Sequence, residues 1–199
     1  MPRNKMLNQQ LRDERREQIL SVALKLFASK GLAATKITDI SSSAGISQGL
    51  IYHYYRSKEQ IFVEMIRIAF ERLNFACSEL ENMPVSPREK ISTAITGLLH
   101  IMSTNEEYEQ FTMLIAMANA SEAIPEEAKA ILNKEYRKPY DVMTRIILAG
   151  QKEGTLKPFD AAQLALVFWT TFSGMAIYKA VHGEAFVTPE ADILKSIFF

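Results

Sequence analysis

The sequence predicts an all-α protein, and three observations lead to that prediction. Along most of the chain, apolar residues return every three or four positions, which is the spacing of one helix face. Serine, asparagine, proline and acidic residues, which typically begin helices, stand in front of these stretches. No stretch alternates apolar and polar residues in the manner of a half-buried strand. The 199 residues, 48% of them hydrophobic, are enough to bury a core.

The first predicted helix covers Arg12–Lys30. Its apolar residues share one face: Ile19, Val22, Ala23, Leu26 and Phe27. Gly31 follows directly, and glycine commonly ends a helix because it adopts the left-handed conformation at little cost. We therefore expect the helix to stop at Lys30.

Two short helices, separated by about three residues, come next. The first is predicted to run from Thr38, taken as its N-cap, to Ala44. After a tight turn, Ser47 is expected to cap a second helix over Gln48–Tyr55. Two short helices joined in this way predict a helix-turn-helix motif at about residues 38–55.

Longer helices fill the rest of the chain. A helix predicted over Lys58–Glu81 has Ser57 as its cap, and Pro84 lies just beyond its end. Further helix starts are predicted at Ser86-Pro87, near Asn105, at Pro125 and at Asp160. Pro139 lies inside a helical pattern, and because proline has no backbone N–H it would bend the helix there or split it in two, and we expect a kink.

The second helix of the motif has two contrasting faces. Ile51 and Tyr55 share an apolar face that is suited to packing. The opposite face carries Gln48, Gly49, Tyr52 and His53. Glutamine and histidine bond to base edges in the major groove, which just admits a helix, and a tyrosine hydroxyl suits a phosphate. Such a face is typical of a helix that reads DNA.

Two blocks of residues carry a resemblance to a known family. They read Ala-Thr-Lys-Ile-Thr-Asp-Ile over residues 34–40 and Gly-Ile-Ser-Gln-Gly-Leu-Ile-Tyr-His-Tyr-Tyr-Arg-Ser-Lys over residues 45–58. In spacing and residue type, these blocks and the helix before them resemble the TetR family of repressors. The resemblance implies an N-terminal three-helix helix-turn-helix DNA-binding domain and a C-terminal helical domain for ligand binding and dimerisation.

The resemblance also implies which residues contact DNA, with a recognition helix at about residues 48–54. The implied contacts are Thr38, Ser47, Gln48, Gly49, Tyr52, His53 and Lys58. Tyr52 and Lys58 are expected on phosphates. Gln48 stands where many members have lysine, and since glutamine pairs with adenine the operator is expected to differ at that position. Tyr55 stands where members often have phenylalanine, and its added hydroxyl needs a partner.

The expected organisation is a DNA-binding domain over residues 12–57, followed by a regulatory and dimerisation domain over residues 58–199. Residues 1–11 form an arm that is either disordered or, through Arg3 and Lys5, in contact with DNA. The implied activity is that of a homodimeric repressor that binds a near-palindromic operator and is released by a small effector.

The distribution of charge agrees with a DNA-binding first part. The net charge of the whole chain is zero, but residues 1–75 hold 12 Lys and Arg against 7 Asp and Glu. Residues 76–199 hold 11 against 16. A basic first third therefore fits an anionic partner such as double-stranded DNA.

A group of aromatic, methionine and histidine side chains is predicted to line an apolar effector cavity, although ordinary core packing accounts for most of them equally well. The group is Phe75, His100, Phe111, Met113, Met117, Trp169, Phe172 and Met175. Asn119, Thr170 and Tyr178 are further polar anchors. These stretches contain few charges, which favours a hydrophobic or aromatic effector. The expected dimer face is Asp160–His182 together with Pro189–Phe199.

Other classes of protein fit less well. No phosphate-binding loop, metallohydrolase motif or serine-hydrolase motif is present, so we expect no enzyme and no cofactor. A helical adaptor that does not bind DNA is the competing interpretation. Cys77 is the only cysteine, which excludes an intramolecular disulfide, and the three histidines lack metal-ligand spacing.

The sequence also bears on location. Residues 1–18 lack the apolar run of a signal peptide, so we expect a cytoplasmic protein. The stretch Ala161–Tyr178 approaches the length of a membrane span, but polar residues interrupt it. A helix buried inside a soluble protein is the favoured interpretation.

Overall fold

The computed structural model describes the backbone of residues 2–199 and their side chains except those of residues 2–5 and 8. This part of the chain contains helices and no strand, which confirms the predicted all-α class. The helices are α1 (Pro2–Ala34), α2 (Ile37–Ala44), α3 (Gln48–Tyr54), α4 (Lys58–Asn82), α5 (Pro87–Thr104), α6 (Glu106–Ala120), α7 (Glu126–Glu135), α8 (Lys138–Lys152), α9 (Ala161–His182) and α10 (Ala191–Lys195). A short 3-10 turn, Gly183–Ala185, follows α9.

Most helices begin at the residues from which the sequence predicted a start. The Ser47 and Ser57 side chains accept hydrogen bonds from the backbone N–H groups of Leu50 and Gln60, and so cap α3 and α4. Ser86 and Glu89 form a reciprocal capping box at α5. Asn105 and Asp160 cap α6 and α9. The side chains that satisfy the first N–H groups of each helix therefore set these boundaries.

Two expectations about helix boundaries need revision. The N-cap of α2 is Lys36 and not Thr38, which lies inside the helix. Residues 2–11, expected as an arm, continue α1 as helix. Arg3 and Lys5, the residues of that arm expected to contact DNA, have side chains outside the described part of the structure.

Pro139 divides its segment into two separate helices, where the sequence analysis expects a kink in one. The proline lies in the first turn of α8, where its missing N–H has no partner to lose. The preceding helix, α7, ends at Glu135. The split lets α7 and α8 each pack against α4.

Gly31 breaks α1 near its C-terminal end. Its backbone angles, φ 76° and ψ 171°, are not helical, and the positive φ favours glycine. The sequence prediction of a stop at this point is confirmed. The buried Thr35 hydroxyl donates to the Gly31 carbonyl at 2.7 Å, so part of the broken helix end is satisfied from within.

The first hydrophobic core runs from the helix-turn-helix into the following helices. It joins Phe27 of α1, Ile51 of α3, Phe62 of α4, Leu114 of α6 and Leu132 of α7. Phe27 and Phe62 meet edge to face, with ring centroids 5.4 Å apart. The packing is therefore continuous across residue 57, where the expected first domain ends.

The second core lies among α5, α8, α9 and α10. Ile95, Ile147, Phe168 and Phe198 are buried in it. Phe198 also accepts a hydrogen bond at its carbonyl from the Lys157 N–H, at 2.8 Å. Leu194 and Phe198, within the segment 189–199 that was expected at a dimer face, therefore pack into their own protomer, whereas Ile193 is 60% exposed.

Helix α9 differs from the buried helix that the sequence favoured. It is long and apolar enough to cross a membrane by length and composition alone, yet only 28% of its most apolar stretch is buried. One side packs on α8 and α6. Leu166, Val167 and Val181 on the other side are exposed.

Gly31 and Gly97 provide a matched test of the break in α1. Replacing Gly31 with alanine puts a side chain at positive φ and brings its Cβ to 3.2 Å from the Met117 Cε, so we expect the free energy of unfolding to fall by about 1–2 kcal/mol. Gly97 lies within α5, with no atom near an added Cβ, and Gly97→Ala should raise that free energy by about 0.5–1 kcal/mol. Urea unfolding of both variants measures the difference, and changes of the same sign would contradict this account.

Candidate DNA-contacting face and effector cavity

Helix α3 is held by one face and exposes the other. Ile51 and Tyr55 are buried in the first core, at 0% and 3% exposure. The Ser47 hydroxyl oxygen accepts the Leu50 N–H at 3.2 Å and fixes the start of the helix. Because both the cap and the apolar face are anchored, the orientation of the opposite face is fixed.

The exposed face of α3 carries Gln48, Gly49, Tyr52 and His53. More than half of the Tyr52 side chain is accessible, at 55%. The His53 ring meets the Tyr54 ring edge to face, with centroids 5.4 Å apart, which limits where the imidazole can point. The structure therefore brings together the four residues that the sequence placed on one face.

Neither the backbone conformation nor the packing at position 49 requires glycine. Its φ is not positive, and an added Cβ would meet only the Ser47 Oγ, at 4.0 Å. Glycine within a helix costs about 1 kcal/mol relative to alanine. Because glycine has no side chain, another molecule can approach the α3 backbone closely at this point of the exposed polar face.

The start of α2 lies near this face and is fixed by charge. The Asp39 carboxylate accepts the Lys36 backbone N–H at 3.1 Å and pairs with the Lys30 ammonium at 2.7 Å. The hydrogen bond from Lys30 and that from the Lys36 backbone lower the pKa of Asp39. Thr38 stands exposed beside them, and so does Ser47 at the start of α3.

Lys58 has partners that the sequence did not suggest. Its ammonium donates to the backbone carbonyls of Leu32, Ala33 and Thr35, at 2.8, 3.1 and 2.8 Å. These carbonyls belong to the segment that follows the break at Gly31. An ammonium has three protons, so the contacts with this segment use all of them. Lys58 thus ties the start of α4 to the segment that leads into α2.

A cavity of about 260 Å³ lies among α4, α6, α8 and α9. We call it the effector cavity after the role proposed for it below. It is lined by Phe70, Leu73, Tyr108, Thr112, Ile115, Ala116, Asn119, Tyr136, Pro139, Tyr140, Trp169, Thr170, Ser173 and Ile177. Burial raises the pKa of Tyr108 to about 12 and is the main cause of the raised pKa of Tyr140, so both phenols stay neutral at physiological pH.

Comparisons with known proteins agree with this arrangement. The sequence profile described as "Bacterial regulatory proteins, tetR family" matches residues 19–65. The transcriptional repressor KstR2 of Mycolicibacterium smegmatis is 31% identical over 83% of this chain and 80% of its own. The chain belongs to the TetR family.

Two further similar proteins are a repressor and a regulator. The transcriptional repressor NicS of Pseudomonas putida is 24% identical, over 73% of this chain and 67% of its own. The crystal structure of the MbdR regulator from Azoarcus sp. CIB has a TM-score of 0.75 and 25% identity, and the match covers 91% of this chain and 95% of that one. The protein is a DNA-binding transcriptional regulator.

The structure does not bring together the residues that the sequence expected in an effector cavity. Of the predicted group, Trp169 alone lines the effector cavity, along with the anchors Asn119 and Thr170. Phe75 is 68% exposed, and His100 and Tyr178 are exposed as well. Phe111, Met113 and Met117 line other clefts. Phe172 and Met175 pack with the second core.

The spacing of four residues in the sequence indicates which face of α6 lines the effector cavity. Tyr108, Thr112, Ile115 and Asn119 recur every three or four residues, and all four line the effector cavity. Phe111, Met113 and Met117, which were predicted from residue type alone, lie on other faces of the same helix. The four lining residues mix polar with apolar side chains, so hydrophobicity alone does not mark them.

Lys58→Met should lower stability, because the apolar stem remains while three carbonyls lose a charged donor. We expect the free energy of unfolding to fall by about 2 kcal/mol in urea titrations. The exposed Lys134 provides the control, and Lys134→Met should change little. If Lys58 instead served a phosphate, the variant would stay stable while the salt dependence of DNA binding fell by about 0.9 in log–log slope.

Proposed function

We propose that a homodimer of this protein binds a near-palindromic operator in the cytoplasm and represses transcription. The dimer leaves the DNA when a small hydrophobic or aromatic effector enters the effector cavity. One observation carries the proposal: α3 is locked into a hydrophobic core by one face and presents a polar face with a glycine on the other. The names of two relatives describe repressors, which favours repression over activation. The proposed activity involves no catalysis and no cofactor.

The proposed DNA contacts are the exposed residues Thr38, Ser47, Gln48, Gly49, Tyr52 and His53. In this proposal α3 enters the major groove. Gln48 and His53 meet base edges there, while the Tyr52 hydroxyl donates to a phosphate. Lys58 is left out because its ammonium is engaged by three carbonyls. Its proposed role is to hold α2, and through α2 the recognition helix, in position.

The proposed dimer is supported by the outer side of α9. Leu166 is 49% exposed, Val167 38% and Val181 63%, on the most apolar long helix of the described chain. These side chains lie on one side of the helix, as the residues of a helix–helix interface do. Gly174 is also exposed and leaves room for a second helix to approach. A second copy of the chain would cover this side through a two-fold axis.

The two-fold symmetry of the proposed dimer determines the symmetry of its operator. Two copies of α3, related by this axis, would enter successive major grooves about 34–36 Å apart on one side of the duplex. Such a dimer reads the same sequence twice in opposite directions. A near-palindromic operator follows from that symmetry.

Helix α6 connects the effector cavity to the DNA-binding helices. Its residues Thr112 and Ala116 line the cavity. On other faces of the same helix, Leu114 is buried in the first core and Met117 lies against Gly31 of α1. An effector that displaces α6 would therefore change the position of α1 and the spacing of the two recognition helices. The effector then shifts the population toward dimers that no longer fit the operator.

Gln48→Lys tests whether α3 reads bases. Selection of sites from random DNA should show adenine preferred at one position by the wild type and guanine preferred there by the variant, because lysine bonds to guanine acceptors. Fluorescence anisotropy over a salt series should show the log–log slope steepen by about 0.9 if the new ammonium also reaches a phosphate. The exposed Asn133 on α7 provides the control, and Asn133→Lys should leave the base preference unchanged. Wild-type protein that selects no sequence would favour the adaptor interpretation.

Leu166→Glu tests the dimer. A carboxylate in the middle of the proposed interface would be buried without a partner, so we expect sedimentation to show monomers and operator affinity to fall by at least about a hundredfold. Val187 is 83% exposed beyond α9, and Val187→Glu is the control that should remain dimeric. A wild-type monomer, or a Leu166→Glu dimer with full affinity, would contradict the proposed interface.

A further inference from the structure

Two exposed cations flank the helix-turn-helix, Lys36 as the N-cap of α2 and Arg56 just after the C-cap of α3. We call them the flanking cations. The Lys58 ammonium donates to the Thr35 carbonyl at 2.8 Å, so the chain at residue 58 lies beside the chain at residue 35. Lys36 directly follows the acceptor of this bond, and Arg56 precedes its donor by two residues. The structure therefore brings both flanking cations to one edge of the motif.

The backbones of the flanking cations are held in place, but their charges are not neutralised. The Lys36 N–H donates to the Asp39 carboxylate at 3.1 Å, and the Arg56 N–H donates to the Gln60 Oε1 at 2.7 Å. Within the part of the chain that the structure describes, neither side chain forms an ion pair. Glu59, the next acid after residue 56, pairs with neither of them. Both positive charges therefore remain open to another molecule.

Three neighbouring cations, in contrast, are engaged inside the protein. Lys30 pairs with Asp39 at 2.7 Å, and Arg16 pairs with Glu64. The Lys58 ammonium donates to three backbone carbonyls. These groups hold α1, α2 and α4 together, whereas the flanking cations make no such contact through their side chains.

Neither flanking position favours a cation for the sake of the fold. An N-cap side chain normally accepts a backbone N–H, which the ammonium of Lys36 cannot do because it has no acceptor. Lys36 also lies at the positive end of the α2 dipole, and Arg56 directly precedes Ser57, the N-cap of α4. Residues that break a local rule without an internal gain are expected at functional sites. An anion in contact with these side chains would offset the unfavourable charge.

We propose that Lys36 and Arg56 bind phosphates of the DNA strand that passes this edge of the motif while α3 lies in the major groove. The inference rests on the proposed function in one respect, the entry of α3 into the groove. Contacts to phosphates position a protein on the duplex, whereas sequence is read at base edges. The flanking cations therefore strengthen binding to any DNA, and the residues on the exposed face of α3 select the sequence.

Replacing each flanking cation with glutamine tests the phosphate contacts. Each contact contributes about 0.9 to the slope of log affinity against log salt concentration, so Lys36→Gln and Arg56→Gln should each lower that slope by about 0.9. At 0.1 M salt this change corresponds to a loss of affinity of about eightfold. The loss should be equal on the selected operator and on unrelated DNA, because a phosphate carries no sequence information. Fluorescence anisotropy of the full chain over a salt series measures both quantities.

Two further variants separate charge from other effects. Arg56→Lys keeps the positive charge and should keep the wild-type slope. Lys25 is exposed on α1, where it lines a cleft with residues of α6 and α9, and Lys25→Gln should also leave the slope unchanged. Urea unfolding of the two glutamine variants at the flanking positions should show no loss of stability, because the replaced side chains have no partner within the protein.

Three results would overturn the inference: wild-type slopes in both glutamine variants, an equal loss of slope in Lys25→Gln, or a loss of affinity confined to the operator. A slope that falls in one variant alone would overturn the assignment of the other residue. Sequence selection by the wild type is measured separately, with Gln48→Lys. Selection that persists while both slopes stay at the wild-type value would leave the proposed function standing, whereas a wild type that binds no DNA would reject both.

Discussion

A hydrophobic core shared between the helix-turn-helix and the helices that follow it fixes the arrangement of both. Ile51 holds α3 in this core, Phe62 brings in α4, and Leu114 brings in α6. Because interiors are close-packed, a shift of one member moves its neighbours. The recognition helix is therefore not an independent module on a linker. The packing that fixes the direction of its exposed polar face includes α6, which also lines the effector cavity.

Two polar side chains donate hydrogen bonds to backbone carbonyls beside this core, which packing alone would leave without partners. The break at Gly31 exposes carbonyls at the end of α1, and the Thr35 hydroxyl and the Lys58 ammonium cover them. The segment that leads into α2 is thereby fixed from two sides. The Lys58 ammonium, which the family resemblance associates with a phosphate, donates to three backbone carbonyls and so helps to hold the segment that leads into α2.

Local signals in the sequence predicted much of this fold. The caps Ser47, Ser57 and Asp160, the stop at Gly31 and the interruption at Pro139 depend on neighbouring residues alone, so short-range chemistry revealed them. The exposed face of α3 followed from helical periodicity for the same reason. The lining of the effector cavity did not follow from helical periodicity, because it depends on how α4, α6, α8 and α9 are rotated against each other. Residues such as Phe172 and Trp169 are neighbours of similar type, and only tertiary packing decides which one faces a core and which one a cavity.

If two copies of one recognition helix read DNA from the same side of the duplex, the DNA that they protect has two-fold symmetry. Hydroxyl-radical footprinting of the wild-type protein, on a fragment selected from random DNA, measures this. We expect two protected segments centred about one helical turn apart and related by two-fold symmetry, and both should weaken together as salt is raised. A single protected segment, or uniform protection without sequence preference, would show that the protein does not bind DNA in this way.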